Sequence, residues 1–360
     1  MHPDRPPDPT TDPPRAVVEG AVLAVVDGPL APDVAEEVRA LAARAEAVDG
    51  VPPLGEQTLL RLADREAPAH HVLLRDPSSG AGPGALVGYA QVDRDAEAEI
   101  DAEAEIVVGP DRRRQGLGSR LLAATHAAAP GRRLHVWAHG DLPAARALAA
   151  RAGMAPAHEL WRMRVDLHAR PVLAAPLPPG VAVRAAIPGR DDDAWVALNA
   201  AAFADHPDQG RWTVHDLRAR QAAPWFEPAG LLLAERTAVV PPEPVGFVWT
   251  KVHPIGALAA EPVGELYVLG VHPSAQGTGL GRALTELGLR HLADRGLAAA
   301  VLWTSASNHR AVHTYTASGF VQDGVDVQYA DRDADEDADQ RGTVTAPGHR
   351  TPPRGATMGT

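Results

Sequence analysis

GELYVLGVHPSAQGTGLGRALTEL, residues 264–287, is the stretch from which the fold can be read. ELYVLGV is aliphatic and β-branched and predicts a strand, and RALTELGLRHLADRG has the apolar spacing of an amphipathic helix. Between them lies Gln276-Gly277-Thr278-Gly279-Leu280-Gly281-Arg282. Small residues there let the backbone approach an anion closely, and the helix that follows presents unpaired N–H groups with partial positive charge. A diphosphate is the natural guest, with Arg282 adding charge at the edge.

The same order of signals occurs earlier. AEIVVGPDRRRQGLGSRLLAAT (104–125), LHVWAHG (134–140) and ALAARAGM (147–154) run parallel to GELYVLGVHPSAQGTGLGRALTEL, AVLWTSASN (300–308) and TYTASGF (314–320). Gly116 corresponds to Gly279, Trp137 to Trp303 and Gly153 to Gly319. Each series reads as strand, glycine turn, helix, strand, helix and a small-residue turn into a last strand, which predicts a duplicated domain. The expected fold is α/β, with a mixed sheet in each of two tandem domains. Residues 1–15 are expected to be a proline-rich tail, 16–167 the first domain and 168–180 a proline-rich linker. The second domain then spans 181–330, and 331–360 form an acidic tail. Within the first domain DAEAEI occurs twice in succession (95–100 and 101–106), and one copy suffices for the strand entering VVGP.

Composition removes whole classes of function. At 360 residues with 45% apolar content the chain can bury two cores. A formal charge of −12 argues against nucleic-acid binding. The absence of cysteine excludes disulfides, thiolate metal sites and a cysteine nucleophile. No apolar run is long enough to span a bilayer, no signal peptide is evident, and the sixteen histidines show no metal-ligand spacing. A cytoplasmic monomer without metal, membrane or nucleic-acid partners is expected. Neither a GxxxxGK[ST] loop nor a G-x-S-x-G elbow is present. The glycine turn also comes too late in its domain for a dinucleotide fold. Among thirty-three arginines there is one lysine, Lys251.

The pattern (Arg/Gln)-x-x-Gly-x-(Gly/Ala), met from Arg113 and again from Gln276, resembles motif A of the GNAT acetyltransferases. Asn308-x-x-Ala311-x-x-x-Tyr315-x-x-x-Gly319-Phe320 resembles their motif B. FADHPDQGRWT (203–213), PWFEPAGLLLA (224–234), GFVWTKVHP (246–254) and, more weakly, GEQTLLRL (55–62) extend the likeness. Together they resemble the mycothiol synthases, a tandem GNAT family that acetylates a cysteinyl-glucosaminyl-inositol amine with acetyl-CoA.

The resemblance implies that acetyl-CoA is held by Leu269, Gly270 and Val271, by Gln276, Gly277, Thr278, Gly279, Leu280, Gly281 and Arg282, and by Asn308, His309, Arg310, Ala311, Val312 and His313. In the first copy the corresponding residues are Ile106, Val107, Val108, Arg113, Arg114, Gln115, Gly116, Leu117 and Gly118. Glu265 is implied as the base and Tyr315 as the acid, with Glu56, Asp208, Lys251, Glu265 and Trp303 around the amine acceptor. Asp208, Trp303, Ser307 and His313 depart from the usual Glu, Tyr, Asp and Arg, which bears on the acceptor rather than the acyl donor. Ala149 stands where Tyr315 would fall in the first copy, so no turnover is expected there. Another small amine, a peptide N-terminus, or acyl-CoA sensing without catalysis are the alternatives; Glu265 and Tyr315 speak against the last.

Overall fold

The computed structural model describes residues 20–66, 69–79, 84–93, 101–170, 175–204, 207–256 and 258–332. Residues 1–15, the first DAEAEI copy and all but the first two residues of the acidic tail lie outside this portion.

The first repeat contains strands β1 (Val22–Asp27), β2 (Ala69–Asp76), β3 (Ala85–Asp93), β4 (Asp101–Val108), β5 (Arg133–Ala138) and β6 (Ala155–Asp166). Its helices are α1 (Pro32–Asp49), α2 (Glu56–Arg61), α3 (Leu117–Ala128) and α4 (Pro143–Arg151). The second contains β7 (Val181–Ala185), β8 (Leu231–Arg236), β9 (Glu243–His253), β10 (Val263–Val271), β11 (Ala299–Ser305) and β12 (Val321–Ala330). Its helices are α5 (Asp192–Ala202), α6 (Pro207–Gly210), α7 (Val214–Gln221), α8 (Leu280–Asp294) and α9 (His309–Ala317).

All twelve strands join one mixed sheet, in the order β1-β2-β3-β4-β5-β12-β6-β11-β10-β9-β8-β7. The order is symmetric about the β12–β6 pair, and the last strands are exchanged. β12 pairs antiparallel with β5 of the first repeat, and β6 pairs antiparallel with β11 of the second. Packing follows the same exchange. Met163 and Val165 of β6 are buried with Leu266 and α8, while Val327 and Tyr329 of β12 are buried with Leu134 and α4. Two polar ties hold the exchanged ends. Arg170, just past β6, makes a two-pronged buried ion pair with Glu286 of α8 at 2.6 and 3.0 Å. Asp331, just past β12, accepts from Leu134 N and His126 Nε2 at 3.0 and 2.9 Å.

Each glycine turn opens a helix across the sheet. Leu280, Leu284, Leu289 and Leu292 of α8 are fully buried. Removing each from water contributes roughly 1.5–3 kcal/mol, so packing rather than intrinsic propensity holds the helix. Gly116 and Gly279 take left-handed conformations as the N-caps of α3 and α8, and neither helix start has a side-chain cap. Gly277 is also left-handed, and its counterpart Arg114 adopts the same backbone with φ 61°.

Candidate active site

β10 and β11 run parallel but pair at only two positions, Gly264↔Ala300 and Glu265↔Val301. Beyond Glu265 the ladder stops and the strands part. On its other side β10 carries a bulge between Leu266 and Val268, which takes Tyr267 out of the ladder with β9. A bulge re-aims the side chain of its extra residue. The first repeat has no such bulge, and its ladder ends two positions later. β4 pairs with β3 without a register shift and with β5 over five positions, to Glu105↔Trp137. Register matches Glu265 with Glu103, which lies opposite His135 as Glu265 lies opposite Val301. Only the second repeat therefore has a fork just past this carboxylate.

Glu265 is buried on β10, and its Oε2 lies 2.6 Å from His253 Nε2. Lys251 stands opposite it in register on β9. The Lys251 ammonium reaches Glu56 Oε1 at 2.7 Å, so a residue of the first repeat enters the second. Glu56 is well supplied with donors. Trp225 Nε1 also donates to Oε1, at 2.9 Å, and the Tyr267 hydroxyl donates to Oε2 at 2.6 Å. Arg220 Nε donates in turn to the Tyr267 oxygen at 2.7 Å. Burial would raise the Glu56 carboxyl, but Lys251, Tyr267 and Arg220 outweigh it and hold it below the usual range. Burial, the largest cause, together with the Glu56 charge pushes the Tyr267 hydroxyl well above its usual value, so it remains a donor. The Lys251 ammonium also sits 4.5 Å from the Trp225 ring centre and 5.0 Å from that of Tyr267. Trp195, Trp212, Trp225 and Trp249 back this cluster.

Tyr315 lies on α9, half-buried, with its ring edge-on to Phe320 at 5.8 Å. Burial lifts its hydroxyl to about 12, and no hydrogen-bond partner for it is found among the described residues. Asn308 caps α9 by accepting from Ala311 N at 3.1 Å. Arg310 donates to Gln276 Oε1 at 2.8 Å, tying this helix to the glycine turn. From Gln276 to Gly279 the turn is exposed, as is Arg282.

The sequence-derived residues are thus partly assembled. Glu56 and Lys251 meet directly, with Glu265 beside them on the same pair of strands. Trp303, half-buried, stands opposite Arg162 of β6, two residues beyond the last β10–β11 pair, and is not among the hydrogen-bond partners of Glu56. Asp208 falls within α6, and its side chain is outside the described portion. Ser307 makes a 2.7 Å bond to Ser305, and His313 is exposed. Three groups in the cluster were not singled out from sequence: Tyr267, Arg220 and His253. Tyr267 and His253 lie in quoted stretches, ELYVLGV and TKVHP, but nothing local marks a bulge. Arg220 carries no signal beyond its place in α7.

In the first repeat Arg113 is already engaged. Its guanidinium holds Asp49 through two 2.7 Å bonds, which raise its pKa, and its Nε donates to Val108 O. Gln276 donates likewise to Val271 O, so the two turns are built alike. Ala149 is buried where Tyr315 would stand.

The profile of the Acetyltransferase (GNAT) family matches residues 38–154 and 195–320, once in each repeat. A mycothiol acetyltransferase of Cellulomonas flavigena is 54% identical over 345 residues, covering 94% of this chain and 97% of its own. One from Sanguibacter keddieii is 50% identical over 313 residues, covering 85% and 96%. Among solved structures, a tandem GNAT protein from the clavulanic acid biosynthesis pathway superposes with a TM-score of 0.61 at 19% identity, covering 86% and 98%. At that identity the likeness is one of fold.

Proposed function

The chain belongs to the GNAT acetyltransferases and, within them, to the mycothiol acetyltransferases, and from that premise we propose that its second repeat acetylates the cysteinyl amine of a cysteinyl-glucosaminyl-inositol. The fork past Glu265 carries this reading, because it is the feature that separates the second repeat from the first. Acetyl-CoA supplies the activated acyl group when bound. The exposed left-handed turn and the uncapped start of α8 suit its diphosphate. The backbone of Leu269 to Val271 would line its arm beyond the fork. The corresponding first-repeat turn, Arg113 to Gly118, is carried forward as a second CoA-binding element without turnover.

Glu265, hydrogen-bonded to His253, takes the proton from the acceptor nitrogen, and Tyr315 gives its hydroxyl proton to the departing thiolate. A hydroxyl lifted to about 12 keeps its proton through the neutral range, as an acid must. Glu56 and Lys251, with Asp208 and Trp303, form the polar surround of the acceptor. One carboxylate flanked by two cations and an indole N–H suits a polyhydroxylated ligand. On the same reading the chain acts as a cytoplasmic monomer. No helix among the described residues is long and apolar enough to cross a membrane.

The test is turnover of acetyl-CoA with cysteinyl-glucosaminyl-inositol, followed by release of free CoA thiol. Rapid release is expected. Release only with other amines would replace the acceptor, and tight acetyl-CoA binding without release would make the protein a sensor.

A further inference from the structure

The first repeat buries a charged cluster at the place where the second repeat opens its fork. Glu105, on β4, is register-equivalent to Val268, just past the bulge. His139 follows β5 directly, and its Nε2 donates to Glu105 Oε1 at 2.8 Å, bridging β4 and β5. Its other nitrogen lies 3.4 Å from Asp326 of β12, whose Oδ1 accepts from Gly140 N at 2.7 Å. The free oxygen of Glu105 is used in turn. Oε2 accepts from Gly55 N at 2.7 Å, and the Thr58 side chain also hydrogen-bonds the carboxylate. Gly55 is the N-cap of α2, whose next two residues leave the first repeat. Glu56 meets Lys251, Trp225 and Tyr267, and Gln57 accepts from Arg220.

We propose that Glu105, with His139 and Asp326, is a positioning device for the amine-acceptor site: it clamps Gly55 so that Glu56 and Gln57 reach into the second repeat. The proposal rests on reading Glu56 as part of the acceptor site. The dormant repeat thereby contributes to catalysis without touching a substrate. The geometry is closely matched, because a Cβ on Gly55 would lie 2.9 Å from Glu105 Oε1. Strands that part in the second repeat are stitched together here by an ion pair. Burial would neutralise His139, but the two carboxylates prevail and raise it to about 10, so the clamp is charged at neutral pH.

Two pairs of variants in the full chain test the clamp. Glu105→Ala removes the acceptor for Gly55 N, whereas Glu105→Gln retains one. Gly55→Pro removes the donor at a φ of −71°, which proline accepts, and Gly55→Ala adds the same crowding while keeping the N–H. Glu105→Ala and Gly55→Pro are expected to raise KM for the amine about tenfold, with KM for acetyl-CoA within about twofold of wild type. Amides of 56–61 should exchange hydrogen about tenfold faster in these two. Glu105→Gln should stay near wild type by both measures, and Gly55→Ala, whose Cβ forces Glu105 Oε1 to shift, should fall between wild type and Gly55→Pro. Equal rises in both KM values, or effects that follow lost thermal stability across all four variants, would overturn the clamp. Should Glu105→Ala fail to fold, Gly55→Pro carries the test, since it removes no buried charge. Absence of turnover by the wild-type chain would sink the acceptor assignment alone, and unchanged exchange at 56–61 would then still refute the clamp.

Discussion

Tyr315 and Tyr267 show how position divides two similar groups. Both are held protonated by burial, but Tyr267 spends its hydroxyl on Glu56 and receives Arg220, while that of Tyr315 has no partner among the described residues. An unengaged hydroxyl can be aimed at a ligand; one locked in a network holds its neighbours in place. Tyr315→Phe is therefore expected to lower kcat about 100-fold while leaving acetyl-CoA affinity within about twofold, measured by pre-steady-state turnover and calorimetry. A loss of affinity instead would make Tyr315 a packing residue. Glu56 and Lys251 were legible in the sequence because each sits in a motif of a known family. Their direct pairing across 195 positions was not.

The two glycine turns are the elements most plainly readable from sequence, since small residues in a fixed order have few other uses. Their side-chain ties to Val108 and Val271 and their left-handed N-caps are the same. They differ at Arg114, an L-residue in the left-handed region where the second copy has Gly277. That conformation costs roughly 1 kcal/mol, partly offset by the chain entropy that glycine loses on folding. Arg114→Gly is expected to stabilise the protein by about 0.5 kcal/mol, a rise in midpoint of about 1 °C in calorimetry, with turnover unchanged. The bulge at Tyr267 and the early parting of β10 from β11 left no trace in the sequence. ELYVLGV and AEIVV are equally good strand formers, and register is decided by neighbours far along the chain.

Across the whole molecule, the exchange of β6 and β12 was the least legible feature, because each strand has a suitable partner in either repeat. The Glu105–His139–Asp326 cluster joins the exchanged strand to its host and makes stability depend on pH. The folded-state value of His139, about 10, lies above its usual 6.5. Its contribution is therefore fully present below pH 6.5 and is lost as pH rises through 10. Thermal midpoints measured from pH 7 to pH 10 should fall by roughly 5 °C more in the wild type than in His139→Asn. Parallel slopes would mean that His139 is neutral in the fold.

The exchanged strands also bear on how the protein is made. A chain leaving the ribosome finishes β5 about 180 residues before the strand that covers it has been synthesised. Until then the edge of β5 that β12 takes either stands open or is covered provisionally by β6. Translation that stops before Val321 leaves β5 and β6 each without β12 as a neighbour, so both halves reach their final form only at the end of synthesis, and together.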